Sequence, residues 1–310
     1  MNLHDDPCRA PLSRLGLGRR LSVSLLLLAL PLSSLSGQTA LARGIACHEA
    51  GEYREAIQWL EEAIEENPGD VEGHRRLVEA YNLYGQEVGP VRAMSIARKM
   101  MREFETIIEL DPASIEERRA LIDFYYFLPG LMGGDKERAF ELIEQLQGIN
   151  PLAGTLALVE IRIEDEEYDE ALAECRRYLT DHPGEIRIRV AIGRIHHARE
   201  LWEDAFRLYE EIIAEAPSDL FAYYQLGRTA AVSGRNLERG TDYLDYFLDH
   251  LDDAMESDDL PSAADAHWRL GMISEHRGDI EAARDSYETA LRLDPHHPFA
   301  RKALRKLRRD

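Results

Sequence analysis

Residues Leu128 to Ala139, LPGLMGGDKERA, place two glycines, an aspartate and a lysine directly ahead of a helical pattern. A glycine-rich loop of this kind offers backbone N–H donors to a phosphate, and a lysine adds charge. A phosphate loop also needs a preceding strand and a Gly-Lys-Ser/Thr ending. Here IEERRALIDFYYFL precedes it with a helical period, and Glu137 follows the lysine. The stretch is therefore expected to be an enlarged turn between two helices, with Gly133 and Gly134 permitting the turn and Asp135 as N-cap. Leu131, Met132 and Asp135 stay as contact candidates, because enlarged loops touch ligands.

The other chemically suggestive residues give less. His196-His197 and His296-His297 are adjacent pairs that point apart on a helix and make poor joint ligands, so no metal is expected. The acidic run HLDDAMESDDLPSAA lacks the order and the mid-loop glycine of a calcium loop and reads as a solvated linker over 251–262. The RGD at Arg277 to Asp279 falls where a turn is due. Cys47 and Cys175 sit far apart on apolar faces and are expected as free buried thiols. No serine occupies a nucleophile elbow and neither of these cysteines, both at core positions, has a plausible base nearby in sequence, so no catalytic residue or cofactor is expected: the chain does not read as an enzyme.

What positions these residues is a repeat. Pro68, Pro112, Pro151, Pro183, Pro217 and Pro295 close similar segments at intervals of 44, 39, 32, 34 and 78 residues, the last being two periods of about 34 plus ten. Twelve residues before the proline stand Ala56, Ala139, Ala171, Ala205 and Ala283. Fifteen before it come Tyr53, Tyr168, Trp202 and Ile280, and eight before it Leu60, Phe104, Ile143, Cys175, Tyr209 and Tyr287. Glycine stands 24 before it at Gly44, Gly193 and Gly271, and Gly227 holds the same place in YQLGRTAAVSGRNLERG. Such offsets lay one apolar stripe on each of two short helices. Glycine or alanine lets the backbones cross closely, and proline stops the second helix. A lone pair cannot bury both stripes, so pairs must stack.

The amino terminus reads as an address. Arg9, Arg14, Arg19 and Arg20 precede the apolar run LSVSLLLLALPL, Leu21 to Leu32, and small residues follow, which describes a secretory signal peptide over 1–36 with cleavage near 36 or 42. The run is short of the roughly 20 residues that span a bilayer. Export to the periplasm or out of the cell is expected, an uncleaved signal acting as an anchor being the alternative.

At 310 residues, 45% hydrophobic, the chain has material for a repeat array or two domains, and its net charge of -21 repels nucleic acid and anionic lipid. The basic end, Arg301 to Arg309, complements the dipole of a final helix.

AHWRLGMISEHRGDIEAARDSYETALRLDP, Ala266 to Pro295, resembles the tetratricopeptide repeat, matching at Trp268, Leu270, Gly271, Gly278, Ala283, Tyr287, Ala290 and Pro295. GEYREAIQWLEEAIEENP and WEDAFRLYEEIIAEAP are nearly as clear. The resemblance implies an all-α fold, a tetratricopeptide-type α-solenoid forming a right-handed superhelix of about seven helix pairs over 37–310, with enlarged turns near 84–92 and 128–135. It also implies a groove lined by first helices that takes a peptide or protein partner. Carried over by phase, the groove candidates are Arg75, Glu79, Asn82, Arg119, Asp123, Tyr126 and Met272, and above all Arg187, Arg194, His197, Tyr224, Arg228, Trp268 and Arg269. Arginines there would hold carboxylates, unless they pair with the chain's own acids. The lysine and asparagine set of chaperone-type carboxylate clamps is absent. The functional expectation is a non-catalytic interaction scaffold of the cell envelope; the alternative is a solute-binding accessory of an envelope transport system.

Overall fold

The computed structural model describes residues 32–252 and 260–307, with side chains from Thr39 onward. The signal region before Leu32 and most of the expected acidic linker lie outside the described residues. Within them the fold is all-α. Two compact halves meet inside a helix, at Gly154 and Thr155.

The first half contains α1 (Leu32–Glu49), α2 (Tyr53–Glu66), α3 (Val71–Glu87), α4 (Pro90–Leu110), α5 (Glu116–Phe127), α6 (Lys136–Ile149) and the start of α7 (Pro151–Glu164). The second holds the rest of α7, then α8 (Tyr168–Asp181), α9 (Ile186–Ala198), α10 (Trp202–Glu215), α11 (Leu220–Ser233), α12 (Leu237–Leu251), α13 (Ala263–Arg277), α14 (Ile280–Leu293) and α15 (Pro298–Leu307). The order is seven helix pairs and a closing helix, as the repeat implies. The array starts earlier than expected, since α1 already runs from Leu32 through both candidate cleavage points. Cutting after Ala42 would remove Ala40, which is buried.

The prolines end second helices by backbone physics. Each of α2, α4, α6, α8, α10 and α14 stops two residues before its proline. The residue between, such as Asn67, Asp111 or Asp294, has left the helical region with ψ between 80° and 97°. Proline clashes with an α conformation in its predecessor, which forces this exit. At the other end of the pair the chain turns through a left-handed residue, seventeen before the proline: Gly51 (φ 77°), Glu166 (φ 61°), Glu200 (φ 57°) and Gly278 (φ 78°). Glycine accepts this φ freely, whereas glutamate adopts it at a cost of about 1–2 kcal/mol.

The pairs cross at their glycines. A Cβ added at Gly193 would lie 2.5 Å from the Tyr209 ring, at Gly227 2.3 Å from Leu244, at Gly271 2.3 Å from Tyr287 and at Gly44 2.6 Å from Leu60. The alanines twelve before the proline, Ala56, Ala139, Ala171, Ala205 and Ala283, are all fully enclosed. Leu270, one of the residues that carry the resemblance, is only partly buried at the edge of the cluster around Leu244 and Phe247.

Two expectations are corrected. The extra residues of the second repeat form no enlarged turn at 84–92; they lengthen α3 and α4 and leave only Val88 and Gly89 between them. A helix that continues satisfies its own backbone hydrogen bonds, which a loop of equal length cannot. Cys175 is a free, buried thiol, its pKa pushed up to about 12, chiefly by burial. Cys47 is also buried but is disulfide-bonded, so the expectation of free thiols holds for Cys175 alone.

Candidate peptide-binding face

The glycine-rich stretch that suggested phosphate chemistry is a joint between α5 and α6. A single 3-10 turn, Gly130–Met132, leads into Gly133 at φ 106°, and a Cβ at Gly134 would strike the Leu128 carbonyl oxygen at 1.7 Å. Asp135 caps α6 by accepting from the Arg138 backbone N–H at 3.1 Å. The Leu131 carbonyl accepts from Arg98 Nη2 at 2.9 Å, while the Leu131 side chain stays largely exposed. The lysine is not free for phosphate: Lys136 Nζ lies 4.2 Å from the Tyr126 ring centroid and donates to its hydroxyl at 3.1 Å.

In the first half Arg75, Glu79 and Tyr126 have partners of their own. Arg75 donates to Glu117 at 2.7 Å and to Asp111 at 3.3 Å. Glu79 accepts from Arg76 at 3.0 Å. Tyr126 is buried beside Lys136, and Asn82, Arg119 and Asp123 are exposed.

The second half brings its candidates together on first helices. Counting back from the closing proline gives equivalent places in successive repeats. Twenty-three residues before it stand Glu160 on α7, Arg194 on α9 and Met272 on α13, and Arg228 on α11 follows its crossing glycine just as Arg194 does. Arg194 donates to Glu160 at 2.6 Å, an ion pair between neighbouring repeats within one column. Burial opposes the charge on Arg194, yet the charge and hydrogen bond of Glu160 raise its pKa. Arg228 goes the other way. Burial lowers it first and the positive charge of Arg269 lowers it further. Its only hydrogen bond among the described residues is to Gln225 Oε1 at 3.2 Å. Arg269 lies 3.8 Å from the Trp268 ring centroid and 3.5 Å from the Met272 sulfur, with no carboxylate partner among the described residues and its Nε buried without an acceptor.

His197 packs edge-on to Trp202, ring centroids 5.0 Å apart, with its Nε2 buried and unbonded. Burial, then the charges of Arg228 and Arg269, push its pKa down to about 4, so it is neutral at pH 7. Trp268 is half-buried, with Arg269 over its ring and the exposed Phe299 of α15 stacked on it at 4.8 Å. Two candidates stand elsewhere. Tyr224 is 5% exposed and packs against Phe247, so its ring belongs to the core and supplies no open anchor. Arg187 is exposed at the start of α9, apart from the cluster's hydrogen bonds.

Sequence reasoning missed Tyr209 as a polar participant. It fills the core place eight before Pro217, and its hydroxyl is enclosed with no hydrogen-bond partner beside Arg228 and Arg194. The available signal was a tyrosine where most repeats place an apolar side chain. Of the adjacent histidine pairs, His297 takes a structural role. His297 accepts from the Ala300 backbone N–H at 3.1 Å at the start of α15 and lies 3.2 Å from Asp265, which itself forms a capping box with Ser262 on α13.

Sequence models described as tetratricopeptide repeat match residues 38–80, 156–220 and 264–297. Among curated proteins, the cellulose synthase operon protein C of Pseudomonas fluorescens (strain SBW25) is 27% identical over 176 residues, 56% of this chain. The match spans only 11% of that relative's length. Among solved structures, a tetratricopeptide repeat protein from Parabacteroides merdae ATCC 43184 superposes with a TM-score of 0.58 at 14% identity, covering 89% of this chain and 100% of that one. Yeast Tom70 superposes with a TM-score of 0.62 at 12% identity, covering 94% of this chain and 59% of that one. At such identities the likeness shows the fold alone. Together with the crossing glycines and the proline-terminated second helices, these matches show an all-α solenoid fold in which residues 38–80, 156–220 and 264–297 carry tetratricopeptide repeats.

Proposed function

We propose that the protein is a non-catalytic interaction scaffold of the bacterial cell envelope, which captures a peptide or protein partner on the first-helix face of its last three repeats. One observation carries this reading. Arg228 is opposed by the like charge of Arg269 in a chain of net charge -21, and neither bonds a carboxylate among the described residues. Half-buried like charges oppose each other and lose hydration, so such a pair destabilises a fold that makes no use of it. A partner bearing acidic groups relieves both costs. The neighbouring Trp268 and Phe299 supply apolar area of the kind that anchors interfaces.

Export is part of the proposal and rests on the basic, apolar and small-residue order of residues 1–36. Among the described residues no helix is long and apolar enough to cross a membrane.

The test is a crosslinking pull-down from native envelopes with the wild-type chain and with Arg194→Glu/Arg228→Glu. The double variant is expected to lose its captured partner while its helicity is retained. Equal capture by both proteins would sink the reading.

A further inference from the structure

The cations of the closing helix serve neither the core nor the arginine column. In its ten residues α15 carries Arg301, Lys302, Arg305 and Lys306, all exposed, and no acid. Helical spacing sets them in two adjacent rows, Arg301 with Arg305 and Lys302 with Lys306, on the side opposite the buried Ala300, Leu304 and Leu307. The helix dipole accounts for Arg305 and Lys306 in the last turn. Arg301 stands in the first turn, where the dipole disfavours a cation. Internal pairing accounts for little more. Arg301 donates to the Pro295 carbonyl at 2.5 Å and Lys306 to Glu275 at 3.2 Å, while Lys302 and Arg305 have no carboxylate partner among the described residues.

Apolar surface lies beside these charges. A groove of about 610 Å³ between α13 and α15 is lined by Trp268, Phe299 and Ala303 together with Lys302, Arg305 and Lys306, and its wall is mostly apolar. The stems of lysine and arginine add to such a wall. Its one acid, Glu275, already accepts from Tyr287 and Lys306. Leu293 and Phe299, each 55% exposed, flank the turn between α14 and α15.

We propose that α15 docks the protein onto a membrane surface rich in anionic phospholipid, with Lys302 and Arg305 among the headgroup phosphates and Phe299 at the acyl boundary. Cations beside open apolar area follow the polarity order of such a surface, phosphate outside and hydrocarbon within. An acidic peptide or an oligonucleotide offers the charge without the hydrocarbon. The net charge of -21 does not oppose this contact, because it is spread over the whole chain. Ten helical residues extend about 15 Å, and exposed charges are screened beyond about 8 Å at physiological salt. A membrane lying against α15 therefore feels its cations ahead of distant acids. Charge and apolar area together hold a protein where either alone is marginal. The surface goes beyond the interaction face, adjoins it at Trp268 and uses none of its arginines.

The experiment is co-sedimentation of the full chain with vesicles of phosphatidylcholine and with vesicles of equimolar phosphatidylcholine and phosphatidylglycerol. Wild type is expected to prefer the anionic vesicles and to be released as salt is raised. Lys302→Gln/Arg305→Gln is expected to bind them about tenfold more weakly or worse, each cation at the surface contributing roughly fivefold, and to melt as wild type does. Arg284→Gln, an exposed arginine on α14, is expected to bind as wild type. A local readout keeps the apolar run Leu21 to Leu32 from deciding the result. Phe299→Trp is expected to gain an emission that brominated anionic lipid quenches and brominated neutral lipid does not. Equal binding to both vesicles, an unchanged double variant or an unquenched Phe299→Trp emission overturns the proposal. Tighter binding to polyglutamate or a single-stranded oligonucleotide than to anionic vesicles of equal charge assigns the patch to a soluble polyanion and overturns it too. These substitutions leave Arg194 and Arg228 in place, so the membrane surface and the interaction face stand or fall separately.

Discussion

The two halves of the chain use the same helix pairs, yet Arg75 of the first half and Arg228 of the second are treated in opposite ways. In the first half, Arg75 is neutralised by Glu117 and Asp111, Arg76 by Glu72 and Glu79, and Lys99 by Glu61. His74 is held between Glu103 at 2.7 Å and the Pro68 carbonyl at 3.0 Å. In the second half Arg189 pairs with Glu215, Arg194 with Glu160 and Arg239 with Glu210, while Arg228 bonds only Gln225 and is opposed by the like charge of Arg269. A repeat fold thus offers one set of positions for two purposes. Where charges are matched internally the position stabilises the array, and where they are left unmatched it is available to a ligand at a cost in stability.

The comparison first needs a common baseline, which the cores supply. Leu60→Ala in the first half and Leu244→Ala in the second remove fully buried side chains that close on a crossing glycine, and each is expected to cost about 2–5 kcal/mol in urea unfolding. Leu270→Ala, at the half-buried edge of the cluster, is expected to cost clearly less than either. A Leu270 loss equal to that of Leu244 would contradict the observed packing.

The charges then separate the halves. Arg75→Met leaves the buried Glu117 carboxylate without its partner and is expected to destabilise by about 1–3 kcal/mol. Arg228→Met removes a half-buried charge that has no counter-ion of its own, and is expected to be neutral or stabilising by up to about 1 kcal/mol. Chemical denaturation of both variants decides the matter, and equal losses would erase the distinction.

Acid sharpens the contrast. His197 is held neutral in the fold with a pKa of about 4, against an ordinary 6.5, because burial and the neighbouring guanidiniums disfavour its charged form. The unfolded chain therefore binds the proton first. This contribution to stability is complete above pH 6.5 and is lost as pH falls toward 4. Relative to wild type, His197→Asn is expected to flatten the loss across that window by roughly 1–2 kcal/mol, allowing for solvent screening. Parallel stability curves for the two proteins would argue against an internally unmatched cluster.

The smallest effect concerns the turns. Glu166→Gly and Glu200→Gly put glycine at left-handed positions that Gly51 and Gly278 occupy in the first and last repeats, and each is expected to stabilise by about 0.5–1 kcal/mol. A loss of stability in thermal melts would mean that these glutamates serve the fold in another way.

Much of the fold could be read before any coordinates, and particular residues show why. Gly193, Gly227 and Gly271 stand at tight crossings because only an absent side chain leaves room for Tyr209, Leu244 and Tyr287. The six prolines end helices because of a clash with the preceding residue, a matter of neighbours in the chain. Periodic constraints of this kind repeat at fixed offsets and are visible in one sequence. The second repeat escaped the same reading, since a Tyr-Gly-Gln-Glu-Val-Gly-Pro run looks like a loop until helical hydrogen bonding is seen to carry α3 to Glu87 and restart α4 at Pro90.

The sequence alone determined the architecture, the phase of the repeats and the column of first-helix positions in which Arg194 and Arg228 stand. Tertiary structure decided which of those side chains are free. Arg75 and Glu117 lie 42 residues apart in the chain, and Arg194 and Glu160 lie 34 apart. Whether such a pair meets depends on the rise from one repeat to the next and on side-chain rotamers, which no local pattern encodes. The same holds for Tyr224, whose phase suited a surface role until Phe247 was found against it. Periodicity fixes where a residue sits on its helix; packing between helices fixes whom it faces.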